Sequence, residues 1–482
     1  MPILFNKYTL RTIYSLFLVF LLSSCSGAEA DVQQTGYPPV FPDYTEVTVP
    51  SAFAPPRFRV TVPCEKQRVE FLAGQEQLVV KGSEEIRIPR RGWHKLVQTG
   101  TPAIEVRVAI KQEGRWIAYE PFNIYISRIP IDRYLTYRRI SPGYSVYGAM
   151  GIYQRDLYTY REKPVIENSF AEGSCVNCHS YAAGDPDNMM FHIRGKQGGT
   201  VIIADGKTGF ADLKTPQTLS AGVYPYWHPS GDYIAYSVNV TRQLFHSSPD
   251  KVLDVYDLAS DLVIYDVKND RLILPPQLQD STIFETFPAF SADGKTLFFC
   301  GAVSSGEESD PLELRYSLYK TTFNSDDGSV GDLITKVLEI DGKSIAFPRP
   351  SPDGKRLMFT LSSYGTFPIW HPEADLYLMD LDSGRVRNTE ELNSADTESY
   401  HSWSSNSRWI AFSSRRNDGL HTRPYITLLN EDGTFTKPFL LPQSTVSYYD
   451  DLLQSFNIPE FSKGSVVFSP RGLKKHSRPV SY

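Results

Sequence analysis

Along most of this chain apolar and polar residues alternate in short runs, the period of half-buried strands and not of helices. In the first third the pattern falls on residues 57–62, 77–80, 85–88 and 105–111, and after the turn Gln112-Glu113-Gly114-Arg115 on 116–126. These runs predict a small β-sandwich over 51–140. The polar, Pro-containing stretch within 25–50 reads as a tether leading into it.

Further on the alternation becomes a repeat. One copy reads Tyr224-Pro225-Tyr226-Trp227-His228-Pro229-Ser230-Gly231-Asp232. Others are Phe287-Pro288-Ala289-Phe290-Ser291-Ala292-Asp293-Gly294-Lys295 and Phe347-Pro348-Arg349-Pro350-Ser351-Pro352-Asp353-Gly354-Lys355. A fourth is Tyr400-His401-Ser402-Trp403-Ser404-Ser405-Asn406-Ser407-Arg408, and a degenerate fifth begins at Ile458-Pro459-Glu460-Phe461-Ser462. Each is a hairpin signal, because Asp-Gly or its equivalent permits a tight turn between flanking strands that bury one face. Matching runs at 261–267 and 375–381 supply a further strand each. Taking Pro225, Pro288, Pro348, His401 and Pro459 as equivalent gives steps of 53 to 63 residues, a period suited to four-stranded propeller blades with longish loops.

These segments resemble the repeats of TolB-type β-propellers, whose signature is Pro, an aromatic, Ser-Pro-Asp-Gly-Lys and a short apolar strand. The resemblance covers most of the chain after about residue 200 and implies an all-β fold in a cell-envelope setting. Upstream, residues 188–193 and 199–205 look like the second and third strands of one more blade. Counting back from them puts that blade's signature position on Asn177-Cys178-His179-Ser180. The expectation is a six-bladed propeller over 141–482, with a cysteine-histidine motif in place of one hairpin signature.

The N-terminus reads differently. Lys7 and Arg11 precede an apolar run over 13–22 that is too short to span a bilayer, followed by Leu22-Ser23-Ser24-Cys25. This resembles the lipobox of bacterial lipoproteins, which implies that 1–24 is a signal peptide and that Cys25 becomes a lipidated N-terminus, a membrane anchor without a spanning helix. Ser26 and Gly27 lack the Asp that favours inner-membrane retention, so an outer-membrane destination is preferred.

Composition narrows the partners. With 41% hydrophobic and 22% charged residues the 482-residue chain is an ordinary globular one, and 13% aromatics fits β architecture. A formal charge of −6 without a Lys/Arg stripe argues against nucleic acid. Of the five cysteines, Cys64 and Cys300 are assigned no disulfide, and Cys300 ends a strand-like run as a small hydrophobe.

Chemistry concentrates at Cys175-Val176-Asn177-Cys178-His179, the attachment pattern of c-type haem. Two thiols at this spacing add to the two vinyl groups on one porphyrin edge, and the next imidazole reaches the iron from one face. A thioredoxin-type redox pair would want a βαβ setting, and structural zinc would need a fourth ligand from elsewhere. The reading is one covalent haem c on Cys175 and Cys178 with His179 as proximal iron ligand. Met190, His192 and Met150 are the candidates for the distal ligand. Met190 and His192 lie two apart in a strand and share a face, whereas Met189 points the other way. Arg155 and Arg194 are candidate partners for the haem propionates.

No nucleophile elbow, phosphate loop or metalloprotease helix occurs. The expected function is single-electron transfer by a membrane-anchored cytochrome working with a redox protein of the envelope, an electron carrier more than an enzyme. Two alternatives stay open: a docking platform with an accessory haem, and a haem enzyme such as a peroxidase with an open distal site.

Overall fold

In the repeats the turn chemistry forms the hairpins. In the computed structural model, Ser291 Oγ donates to Asp293 Oδ1 at 2.6 Å while accepting from the Thr296 amide at 3.0 Å, and the Lys295 amide donates to Asp293 Oδ1 at 3.1 Å. Ser351, Asp353, Lys355 and Arg356 repeat this network, and Ser404, Asn406, Arg408 and Trp409 repeat it again. A side-chain hydroxyl thus ties off the turn in these three copies, with Gly294 and Gly354 at φ +73° and +71° where a Cβ would be strained.

The structure describes residues 30–142, 148–195, 198–248, 251–304, 310–470 and 478–479. The chain is all-β, with 49% of it in strands and 6% in helices. Six sheets of four or five strands follow one another, built on antiparallel hairpins, with Arg478–Pro479 added in parallel to the edge of the motif sheet. Their first strands are Val176–Tyr181, Val223–Trp227, Ile283–Phe290, Ser344–Pro350, Glu398–Trp403 and Ser455–Ser462. Each of these packs on the next, and the last packs on the first, so the six inner strands form a closed ring. The sixth sheet is completed across the whole chain: Ser455–Ser462 pairs with Tyr134–Ile140, which continues into Gly151–Asp156 and Glu162–Glu167. The strands expected at 188–193 and 199–205 are present as Met189–Ile193 and Gly199–Ala204.

Two boundaries and the N-terminal architecture differ from expectation. Tyr134–Ile140 belongs to the ring and not to the N-terminal unit, because it pairs on both edges with ring strands. The expected tether is built into the N-terminal sheet: Val32–Gln33 pairs in parallel with Arg115–Ala118, and Val47–Pro50 in parallel with Phe122–Ser127. In place of a sandwich there is one seven-stranded sheet, a two-stranded ribbon of Val40–Phe41 with Arg59–Val60, and the helix Arg90–Gln98. That helix packs Trp93 and Leu96 against the strands Lys66–Ala73 and Glu76–Gly82. One hydrophobic cluster runs from Phe58, Phe71 and Ile124 through Leu135 and Tyr137 to Trp409 and Phe439, so the N-terminal sheet and the ring share a core. The segment 1–24 and Cys25 lie outside the described residues, among which no helix is long and apolar enough to cross a membrane.

Candidate functional site

Each inner strand carries the same irregularity. Its pairing with the second strand slips by one residue, between Asn177 and Ser180, Val223 and Tyr226, Thr286 and Ala289, Ala346 and Arg349, Ser399 and Ser402, and opposite Thr136–Arg138 in the closing sheet. At every slip one non-glycine residue has positive φ: Cys178 at 51°, Tyr224 at 51°, Phe287 at 52°, Phe347 at 54°, Tyr400 at 45° and Ile458 at 54°. A β-bulge of this kind re-aims the side chains on either side of it. Tyr224, Phe287, Phe347 and Tyr400 pack in sequence, edge-on or tilted, with neighbouring ring centroids 4.4, 4.6 and 4.7 Å apart. These bulged residues form an apolar plug in the ring, and Cys178 is its smallest member.

The residue after each bulge is Pro225, Pro288, Pro348, His401, Pro459 or, in the motif, His179. His179 therefore occupies a slot that the architecture provides in every sheet. His401 in the same slot donates from Nε2 to the Met358 carbonyl at 2.9 Å. His179 faces the Thr136 and Ile458 backbone carbonyls, but neither of its buried ring nitrogens makes a hydrogen bond of full geometry as His401 does. Burial pushes its pKa down to about 3, outweighing the Thr136 and Ile458 carbonyls that favour the protonated ring, and the cation of Arg138 adds to the fall, so the imidazole is neutral at pH 7. The Glu460 carboxyl lies 4.0 Å from its Nε2, and burial pushes that carboxyl up to about 8. Both line a cavity of about 210 Å³ with Tyr226, Arg349 and His401.

The thiols open the other way. Cys175 and Cys178, both buried and free, line a second cavity of about 690 Å³, within the size range of pockets that hold cofactors. The two cavities meet at the plug, where Tyr400 and Ile458 line both. Arg138 stands over the thiols, donating from Nη1 to Asn177 Oδ1 at 2.6 Å and placing Nη2 3.6 Å from Cys175 Sγ. The Arg194 amide donates to the Cys175 carbonyl at 2.8 Å, and its exposed side chain also borders the cavity. Burial raises the pKa of the Cys178 thiol, keeping it protonated. Met150 and His192 lie on the same walls. His192 Nδ1 is 3.2 Å from Thr200 Oγ1, and burial followed by the charge of Arg194 lowers its pKa to about 4.

Several expected site residues are elsewhere. Met190 shares a strand face with His192 but is fully buried among Trp227, Ile234 and Ile202, and Met189 packs with Phe191 and Val201. Arg155 is committed to protein partners away from the cavity, donating to Gln443 Oε1 and the Pro442 carbonyl at 2.7 Å each. Arg138 takes the place expected for it. No local pattern singles it out, because it reaches the thiols from the closing sheet. Among the described residues no group of three or more His, Cys, Asp and Glu side chains converges as a metal site.

For a porphyrin joined through Cys175 and Cys178, the free thiols, the cavity, Arg138 and Arg194, and the donors of His192 and Met150 fit. The motif's own imidazole does not: His179 lines the opposite cavity, on the far side of the plug.

No family model and no curated protein matches the chain. Among solved structures it is similar to a puromycin hydrolase, at 14% identity and TM-score 0.38, over 64% of this chain and 45% of that one. It is also similar to an oligogalacturonate lyase in complex with manganese, at 11% identity and TM-score 0.36, over 65% of this chain and 74% of that one. A third is a GH74 enzyme of Niastella koreensis, at 14% identity and TM-score 0.39, over 62% of this chain and 44% of that one. The chain thus spans less than half the length of the puromycin hydrolase it matches. At these scores the likenesses bear on neither activity nor ligand.

Proposed function

We propose that this chain is a membrane-anchored c-type cytochrome of the cell envelope, with one haem held covalently by Cys175 and Cys178 on a six-bladed TolB-type propeller. The observation that carries the reading is that both thiols of a CxxCH motif are free, buried and on the wall of one cofactor-sized cavity. Attachment needs no oxidant. Each S–H adds across a vinyl group, sulfur bonding one carbon while the proton goes to the other, and two thioethers result.

Haem bound there supplies one reversible electron at its iron. The chain's residues do the rest: Arg138 and Arg194 offer cations to the propionates, and the apolar plug bars water from one side of the cavity. Lipidation at Cys25 tethers the protein to a membrane, the outer membrane by preference, where a redox protein of the envelope exchanges electrons with it.

A denaturing gel stained for haem, comparing wild type with Cys178→Ala from cells that possess haem-ligation machinery, tests the proposal. Wild type should stain at its own mass and the variant should lose most of the signal. Equal staining, or a colourless wild type, overturns it.

A further inference from the structure

The smaller cavity, across the plug from the thiols, has a chemistry of its own. One register position, two residues beyond each bulge, holds Ser180, Tyr226, Ala289, Arg349, Ser402 and Glu460. All of them except Ala289 line this cavity. The turns are tied off by the Ser and Asp that follow each strand, so no hairpin calls for a guanidinium at Arg349.

Arg349 is placed to receive an anion. Its charged end lies 5.1 Å from the centroid of the Tyr226 ring, and the Trp403 indole holds its backbone, donating to the Arg349 carbonyl at 2.9 Å. Among the described residues no carboxylate comes within ion-pair distance of it, and its side chain makes one hydrogen bond, from Nη1 to the Pro348 carbonyl at 3.2 Å. The two acids on the walls are directed elsewhere: Asp132 accepts from the Ser405 amide and hydroxyl at 2.6 and 2.7 Å, and Glu460 from the Tyr181 amide at 3.1 Å. Lys463, the other cation on the walls, is exposed. Ser402 Oγ and His401 Nδ1, from residues 8% and 3% exposed, are buried there without a hydrogen-bond partner. Orphaned polar atoms of this kind are costly to bury unless something meets them.

We propose that this cavity binds a small organic monocarboxylate, its two oxygens on the planar fork of Arg349 and its apolar body against Tyr226, Phe347, Tyr400 and Trp403. A guanidinium offers two parallel N–H groups that match a carboxylate, and one enclosed cation matches one negative charge. The aromatic walls favour an organic acid over an inorganic anion, which would leave them uncovered. At about 210 Å³ the cavity is below the roughly 300–1,000 Å³ of pockets for drug-sized ligands, so the acid is small. The inference does not rest on the cytochrome reading, because the plug stands between this cavity and the thiols.

Full-length protein, produced with haem-ligation machinery, is titrated by calorimetry and equilibrium dialysis with acetate, isobutyrate, benzoate, the neutral isostere benzamide and inorganic phosphate. Wild type and Arg349→Gln are compared once thermal melts show that both fold. Isobutyrate or benzoate should bind wild type, and bind Arg349→Gln roughly tenfold to a hundredfold more weakly. Benzamide should bind weakly and alike to both. Should Arg349→Gln not fold, a preference of wild type for benzoate over benzamide of at least about tenfold carries the same test. No binding of any of the three acids up to about 10 mM, equal binding of acid and amide, or phosphate bound as tightly as benzoate overturns the proposal.

Discussion

Glu285 is only 1% exposed, its Oε2 has no hydrogen-bond partner, and Asp261 lies near it. Burial first, then the charges of Asp261 and Asp280, push its pKa up to about 9 from an ordinary 4.5. Between those values the folded protein keeps a proton that the unfolded chain gives up. Stability therefore falls as pH rises through that window, by up to about 1.4 kcal/mol per pH unit for a single group. Glu285→Gln keeps the shape and removes the ionisation. Thermal melts should show the variant melting above wild type at pH 8 and level with it at pH 4; a difference that does not change with pH would refute the assignment. Residues of this kind are illegible in sequence, where Glu285 is one acid among many. The same limit explains His179. CxxCH spacing names the three side chains but not their directions, and the one-residue bulge at Cys178 sends thiol and imidazole to opposite sides of the plug. His401 in the equivalent slot was the available hint, since it implied that the slot takes a histidine for structural reasons.

The longest hairpin, Tyr233–Phe245 with Leu253–Asp266, projects beyond its sheet, with Leu244 and Phe245 about half exposed. Gln243, Phe245, Leu253 and Val255 from it wall the thiol cavity. Asp254 gathers the overhang's own His246 Nε2 at 2.7 Å and Lys251 Nζ at 2.9 Å and clasps it to the connection between Arg356–Ser362 and Asp375–Asp380, accepting from His371 Nε2 at 3.1 Å and Tyr364 Oη at 3.3 Å. Burial alone would raise its pKa, but the bonds from His371, Lys251 and His246 outweigh it and hold the carboxyl well below the usual range. The clasp is thus intact at neutral pH and is lost only as pH falls below the ordinary Asp value. Charge-assisted bonds contribute about 1.5–3 kcal/mol, so Asp254→Ala should speed amide exchange of the overhang by roughly tenfold to a hundredfold at pH 7. Exchange in the strand Thr296–Val303 should not change; equal protection of the overhang in variant and wild type would show that the clasp does not hold it. The overhang escaped the sequence reading because residues 239–258 mix charge with apolar residues at no steady period. The helix Arg90–Gln98 escaped it too, for only Trp93 and Leu96 are buried on it and Gly92 interrupts the run.

At the scale of the molecule, the hairpin repeats and their steps make five of the sheets legible in the sequence, and counting back from them locates the sheet that carries the motif. What no local pattern announced is how the ring shuts. Ser455–Ser462 pairs with Tyr134–Ile140 over 300 residues away, and Val466 and Phe468 beyond it pack with Ile152 and Phe191. Without that strand, Tyr134–Ile140 would face solvent as an open edge, a template for pairing with other chains. The inner strand Glu398–Trp403 would also lose its neighbour, and the core shared with the N-terminal sheet would be exposed through Phe456 and Phe461. Because closure and core are common property, the N-terminal sheet and ring should unfold in one transition. A chain ending at Leu453 should therefore fail as a whole, aggregating or showing no cooperative melt, although every repeat signature except the last is still in it. A chain ending at Pro470 keeps the closing strand and the Phe468 contact and should melt within a few degrees of wild type. If calorimetry found the shorter chain losing only one late transition while the rest melted as before, the sheets would be independent units and the ring would not depend on its clasp.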